Sequence, residues 1–134
     1  MSRWLSSITL GHQKICVAGI HPVPPTRDPA SWADTLETVR AWSQEKTEMP
    51  LVLAGDFNAT RAQPGFRALA TGFAQSAPSW GPIGIGSWPA NTKVPAFAAN
   101  DHVLARGLAA GRSVPLVVAG TDHHGIVARL ASCR

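Results

Sequence analysis

Apolar positions along the chain switch between two periods, and the switches mark the elements. Residues 6–20 read as two short β segments around Gly11-His12. Within them Ile15-Cys16-Val17-Ala18-Gly19-Ile20 is an unbroken apolar run, the pattern of a strand covered on both faces. The run stops at His21-Pro22-Val23-Pro24-Pro25, which cannot continue a β ladder. Trp32, Leu36, Val39 and Trp42 then recur at helical spacing, with Asp28 or Ser31 placed to cap the helix. Its polar end is 45–48, and Pro50 stops it. Residues 51–54 form the next buried strand, and 64–70 a short helix entered through Pro64 and ended by Gly72. Residues 75–92, rich in Gly, Pro and Ser, read as a long irregular loop holding Trp80 and Trp88. Strands are expected at 100–104, 114–119 and 125–130, with a turn at 107–112. The order is β-β-α-β-α-loop-β-β-β, without a repeat or a linker.

Composition narrows the class. A chain of 134 residues with 45% hydrophobic and 15% charged residues suits a single globular domain. The net charge of +4 and pI near 9.8 suit an anionic substrate, although the charges are scattered. No Lys/Arg run forms a nucleic-acid stripe. Cys16 and Cys133 match no metal-ligand spacing and read as two buried thiols, with a disulfide only if the first and last strands meet. The N-terminus does not read as a signal peptide, and no apolar run has bilayer-spanning length.

The chemistry-bearing residues gather at strand ends. Gly55-Asp56-Phe57-Asn58 ends an apolar run with an acid and an amide two positions apart. In an extended segment these would share a face, with Phe57 packed opposite. The plainer reading of the same residues is an Asx turn. His21 sits where another apolar run meets a proline and reads either as a structural histidine or as a general acid. Asn100-Asp101-His102 and Thr121-Asp122-His123-His124 repeat the device. A basic histidine needs a carboxylate to fix its tautomer, and Asp101 is the candidate orienter for His123. His102 and His124 read as packed or exposed, with His124 the better fit to an exposed turn. Trp32 and Trp42 read as helix core, and Trp80 and Trp88 as packing for the loop.

Taken together, Gly19-Ile20-His21-Pro22, Gly55-Asp56-Phe57-Asn58, Asp101-His102-Val103-Leu104 and Thr121-Asp122-His123 resemble the endonuclease/exonuclease/phosphatase superfamily, the DNase I-like proteins. Ser87-Trp88-Pro89 resembles the Thr-Trp-Pro of its bacterial members. The motifs are individually weak, stand in the family's order and span nearly the whole chain. Asn100 departs from the pattern, which usually has an aliphatic residue there.

The resemblance implies an α/β (α+β) fold: half of a four-layer DNase I-like sandwich, one mixed sheet with flanking helices. Residues 1–134 would form a single partial domain, the second half. The first half normally brings an Asn and a Mg²⁺-binding Glu, and nothing before His21 supplies either. The implied activity is metal-dependent phosphoester hydrolysis, by a phosphodiesterase, endonuclease or phosphatase. The other reading is an inactive remnant that binds a phosphate ligand or a protein. His123 would activate water, Asp101 would orient it, and Asp56 and Asn58 would position water or the phosphoryl group. Asp122 and Asp56 would hold Mg²⁺ or Mn²⁺, weakly without the Glu, and His21 would serve the leaving-group side. Substrates in the superfamily are nucleic acids, phospholipids and small phosphate esters. The implied partners are a separately encoded N-terminal half or a second copy, covering the sheet face left bare. An N-terminal anchor lost with the first half would make the location extracytoplasmic.

Overall fold

The computed structural model describes residues 2–78 and 86–133, and Trp80 lies outside them. Strands β1 (Ser2–Leu10) and β2 (Gln13–His21) form an antiparallel hairpin. Its two-residue loop puts a positive φ of 62° at Gly11, the position that type II′ turns reserve for glycine. Both strands run further than the apolar pattern alone implies, because pairing carries the polar ends along with it.

Helix α1 (Pro29–Glu45) then crosses over to β3 (Leu51–Asp56), which lies parallel to β2. Asp28 caps it, its Oδ1 accepting from Ser31 N at 3.0 Å, and Pro29 fills the first turn, where no amide is needed. At the other end Arg106 donates from Nη2 to the carbonyls of Ser43 and Lys46, satisfying orphan acceptors. A short helix α2 (Pro64–Ala70) follows, then two-residue strands β4 (Ala74–Gln75) and β5 (Ala77–Pro78). The chain closes with β6 (Asp101–Arg106), β7 (Leu108–Leu116) and β8 (Gly125–Ser132).

The main sheet is mixed, in the order β1-β2-β3-β6-β4, with helices against one face. There Ala18, Ile20, Leu51, Leu53 and Leu104 meet Leu36 and Val39 of α1 and Phe66 and Leu69 of α2. Trp32 and Trp42 pack at the border of this core. The opposite face holds a smaller cluster of Ile15, Val52, Ala105 and Leu108, with Leu130 against it. A second sheet, β5-β7-β8, accompanies the main one. The expected turn at 107–112 is a correction: only Gly107 turns, at φ 74°, and β7 begins at Leu108. Small residues and a register break between Ala110 and Ser113 hide its alternation. Cys133 is exposed rather than buried, and both cysteines are free thiols. No helix among the described residues is long and apolar enough to cross a membrane.

Register sets the site. Ile20 pairs with Gly55 and Asp56 with Asp101, so the ends of β2 and β3 and the start of β6 share one edge. Gly55 has φ 143°, and a Cβ there would overlap the Ile20 carbonyl oxygen. Gly55→Ala is therefore expected to destabilise the fold by about 2–4 kcal/mol, read as a lower urea midpoint. An unchanged midpoint would mean that the β2–β3 approach is looser than described.

His102 is buried between Phe57 and Phe66, its ring centroid 4.3 Å from that of Phe66. Its Nε2–H donates to Ala59 O at 2.7 Å, so Nδ1 accepts from Gln75 Nε2 at 2.6 Å. Burial pulls its pKa below the ordinary 6.5. The unfolded chain thus takes up this proton first as pH falls. Stability from a neutral His102 is full above pH 6.5 and is lost as pH drops toward the folded value. The urea-midpoint gap between wild type and His102→Gln is expected to narrow from pH 7.5 to 5.5. A constant gap would contradict the buried neutral ring.

Candidate active site

Asp56 is the last residue of β3, and its two oxygens do different work. Oδ1 accepts from Asn58 N at 2.7 Å, which is the Asx turn allowed by the sequence. Oδ2 lies 3.7 Å from both His21 Nε2 and His123 Nε2. One oxygen thus closes the turn, and the other is left facing the two histidines. Burial, then the nearby Asp101 charge, push the Asp56 pKa up, against the lowering effect of the Asn58 amide bond.

Asn58 departs from the simple strand picture. Its φ is 47°, so it has left the extended conformation, and strand alternation does not aim it. Instead Nδ2 donates to Pro22 O at 3.0 Å, tying the β3 exit to the His21-Pro22 corner. Phe57 is fully buried, as its expected packing opposite the polar face requires, and Trp32 Nε1 donates to its carbonyl at 3.1 Å.

Asp101 and His123 form a short side-chain contact across the site. His123 Nδ1–H donates to Asp101 Oδ2 at 2.7 Å, and both side chains are about four-fifths covered. A carboxylate can only accept here, so Nε2 of the neutral ring is left as an acceptor facing Asp56. Partial burial pulls the His123 pKa down. The Asp101 hydrogen bond and the charges of Asp101, Asp56 and Asp122 outweigh it, and the net shift is upward.

Loops hold these groups in place through Ser87 and Thr121, which the motifs include, and Asn91, which the sequence reading did not single out. Ser87 is fully buried, and its Oγ accepts from the amides of Asn100 and Asp101, both at 3.2 Å. Asn91 Nδ2 donates to the carbonyls of Val118 and Thr121, which anchors the β7–β8 loop that carries His123. Thr121 Oγ1 accepts from His123 N at 3.2 Å. For Asn91 the nearest thing to a sequence signal is an Asn inside a Gly/Pro-rich loop, and its φ is left-handed at 57°.

Asp122 lies nearby but turns away. Its carboxylate accepts from Trp88 Nε1 at 3.2 Å, and Trp88 stacks edge-on with Phe97. His21 is largely exposed on the far side of Asp56. His124 is a correction to the exposed-turn reading. It is buried, its amide donates to Ser87 O at 2.8 Å, and among the described residues its Nδ1 has no hydrogen-bond partner.

Single ligand atoms from Asp56, Asp101 and His123 lie within 4.8 Å of one another. Two carboxylates of like charge, brought together and partly dehydrated, fit a hard divalent cation that would relieve their repulsion. Three protein donors leave room for water in its shell, so binding would be weak. The 3.7 Å spacing between Asp56 and both histidines also leaves room for one bridging water or phosphoryl oxygen.

A model of the Endonuclease/Exonuclease/phosphatase family matches residues 4–123. No curated protein matches the chain. Among solved structures it is similar to Danio rerio TDP2 complexed with single strand DNA product, at 15% identity and TM-score 0.73, over 96% of this chain and 60% of that one. It is similar to a mannosyl-6-phosphatase from Bacteroides thetaiotaomicron VPI-5482, at 13% identity and TM-score 0.58, over 89% and 51%. A Staphylococcus aureus beta toxin variant with bound magnesium ions aligns at 13% identity and TM-score 0.61, over 96% and 57%. At these identities the likeness is one of fold, and the chain spans about half to three-fifths of each structure.

Proposed function

The chain belongs to the endonuclease/exonuclease/phosphatase family, and on that premise we propose that Asp56, Asp101 and His123 are the centre of a divalent-metal-dependent phosphoester hydrolase site. The observation that carries the reading is the 2.7 Å bond between His123 Nδ1 and Asp101, with the other ring nitrogen facing Asp56. That arrangement fixes one tautomer and points its basic nitrogen at the carboxylate.

In the proposed reaction a water oxygen bonds to phosphorus as the bond to the leaving oxygen breaks in line. His123 Nε2 takes the water proton, and Asp101 stabilises the resulting imidazolium. Asp56 Oδ2 accepts from and orients the water, and the remaining N–H of the Asn58 amide donates to a phosphoryl oxygen. Protonated His21, across Asp56 from His123, donates to the leaving oxygen. Asp56, with Asp122 at the rim, would hold Mg²⁺ or Mn²⁺, and the Asp101 charge beside them would add to the attraction. When bound, the cation supplies charge neutralisation at the phosphoryl oxygens.

The single-strand DNA product of one neighbour and the phosphatase activity named for another support a phosphoester substrate and leave its class open. A second reading, a non-catalytic binding module, is favoured by exposed apolar side chains. Ile8 and Leu10 on β1, and Val114, Leu116 and Val127 on the second sheet, are each at least half exposed. They also support a partner, either an N-terminal half supplied separately or a second copy.

Turnover of bis-p-nitrophenyl phosphate and p-nitrophenyl phosphate, with Mg²⁺ and after chelation, tests the hydrolase reading. Chelator-sensitive release of nitrophenol is expected. A folded sample that releases none would favour the binding module.

A further inference from the structure

Arg61 and Arg67 border one cavity of about 300 Å³, floored by Phe66, Ala70 and Thr71. It lies beside α2 and the chain that leads into it from the β3 corner, and none of the carboxylate–histidine cluster lines it. We propose that this cavity is a second phosphate subsite, which takes a non-scissile phosphate of a sugar-phosphate chain.

Both guanidinium groups are held in place without a charge partner. Arg67 Nη1 donates to the carbonyls of Arg61 and Ala62, at 2.8 and 2.7 Å. Arg61 Nε donates to Gln75 Oε1 at 2.6 Å. The Gln75 amide in turn donates to His102, whose ring is fixed by Ala59 O, so a chain of bonds from the core sets the position of Arg61. Among the described residues no carboxylate pairs with either arginine. Both Nη groups of Arg61, and Nε and Nη2 of Arg67, keep their donors for a ligand.

Two permanent cations around one hollow repel each other, and an anion between them removes that repulsion. The planar fork of a guanidinium matches the paired oxygens of a phosphate. Ala70 and Thr71 give the hollow a small, partly exposed wall on which a sugar can rest, with the buried Phe66 behind it. Arg61 follows Asn58 by three residues, so their backbones are at most about 11 Å apart. One strand can therefore reach both places. The source of the phosphate, a strand rather than the free ion, rests on the hydrolase reading; the anion subsite itself does not.

The test is an amide and arginine side-chain NMR titration of the full chain in chelator, where hydrolysis does not intervene. Inorganic phosphate is one probe and a four-residue deoxythymidine strand the other. Phosphate is expected to shift Arg61, Ala62, Ala70 and Thr71 saturably, and Arg61→Glu to weaken it about 10- to 100-fold. Arg61→Lys, which keeps the charge, should recover part of the loss. The strand should bind more tightly than phosphate and move the His123 signals as well. Arg61→Glu should leave turnover of bis-p-nitrophenyl phosphate within about twofold, since that ester is too small to reach the cavity. Phosphate shifts confined to the surroundings of Asp56 and His123, or unchanged by Arg61→Glu in a folded variant, would overturn the subsite. Phosphate binding with no gain for the strand would overturn the non-scissile source.

Discussion

Asp56→Asn is expected to reduce metal-dependent phosphoester hydrolysis about 10³-fold or more and to abolish saturable Mn²⁺ binding. The substitution keeps the shape of the side chain, and its remaining carbonyl oxygen can still accept from Asn58 N, so the β3 corner should survive. What disappears is the charge that faces His21 and His123 at 3.7 Å. Asp56 and Asp101 stand as paired partners at the sheet edge, and burial and the Asp101 charge disfavour a bare Asp56 carboxylate there. On the proposed reading a cation would relieve that repulsion. Calorimetric titration with Mn²⁺ and turnover measured on the same sample would read both effects. Retained metal affinity in a folded Asp56→Asn protein would move the cation to other residues.

Asp101→Asn is expected to cut turnover about 10²- to 10⁴-fold. Asp101 accepts the Nδ1 proton of His123 at 2.7 Å and thereby leaves Nε2 as the basic nitrogen. An asparagine amide can present its N–H₂ to the ring instead, which favours the opposite tautomer. Burial lowers the His123 pKa, while the Asp101 hydrogen bond and charge raise it, so their loss should bring it down. The acid limb of the pH–rate profile should then move to lower pH, and the His123 ring resonances should titrate lower by NMR. A large rate loss with an unmoved His123 titration would mean that Asp101 acts as a metal ligand rather than as the orienter.

Much of this site could be read from local pattern. Asp28-Pro29 and Pro50 bracket α1 because capping and proline chemistry are decided within a few residues. The apolar runs before His21 and Asp56 place β2 and β3, and each polar residue after a run falls on the sheet edge. The juxtaposition of Asp101 with His123 depends on a loop that only tertiary bonds define. Asn91 reaches Val118 and Thr121, 27 and 30 residues away, and Ser87 reaches Asp101 across 14. No periodicity encodes those contacts. The start of β7 was hidden for a related reason, since Ala109-Ala110-Gly111 has too little side chain to alternate. Asn58 looked like a strand residue and is a left-handed corner, because the Asx bond from Asp56 competes with the ladder. His124 looked exposed and is buried, because its neighbours come from the Ser87 loop.

The most direct test of the account is hydrolysis of bis-p-nitrophenyl phosphate by wild type and His123→Ala, each with Mg²⁺ and each after chelation. The account predicts turnover in one sample only, wild type with metal, with His123→Ala lower by about 10²- to 10⁴-fold. Equal turnover by the two proteins, or turnover that survives chelation, would contradict it.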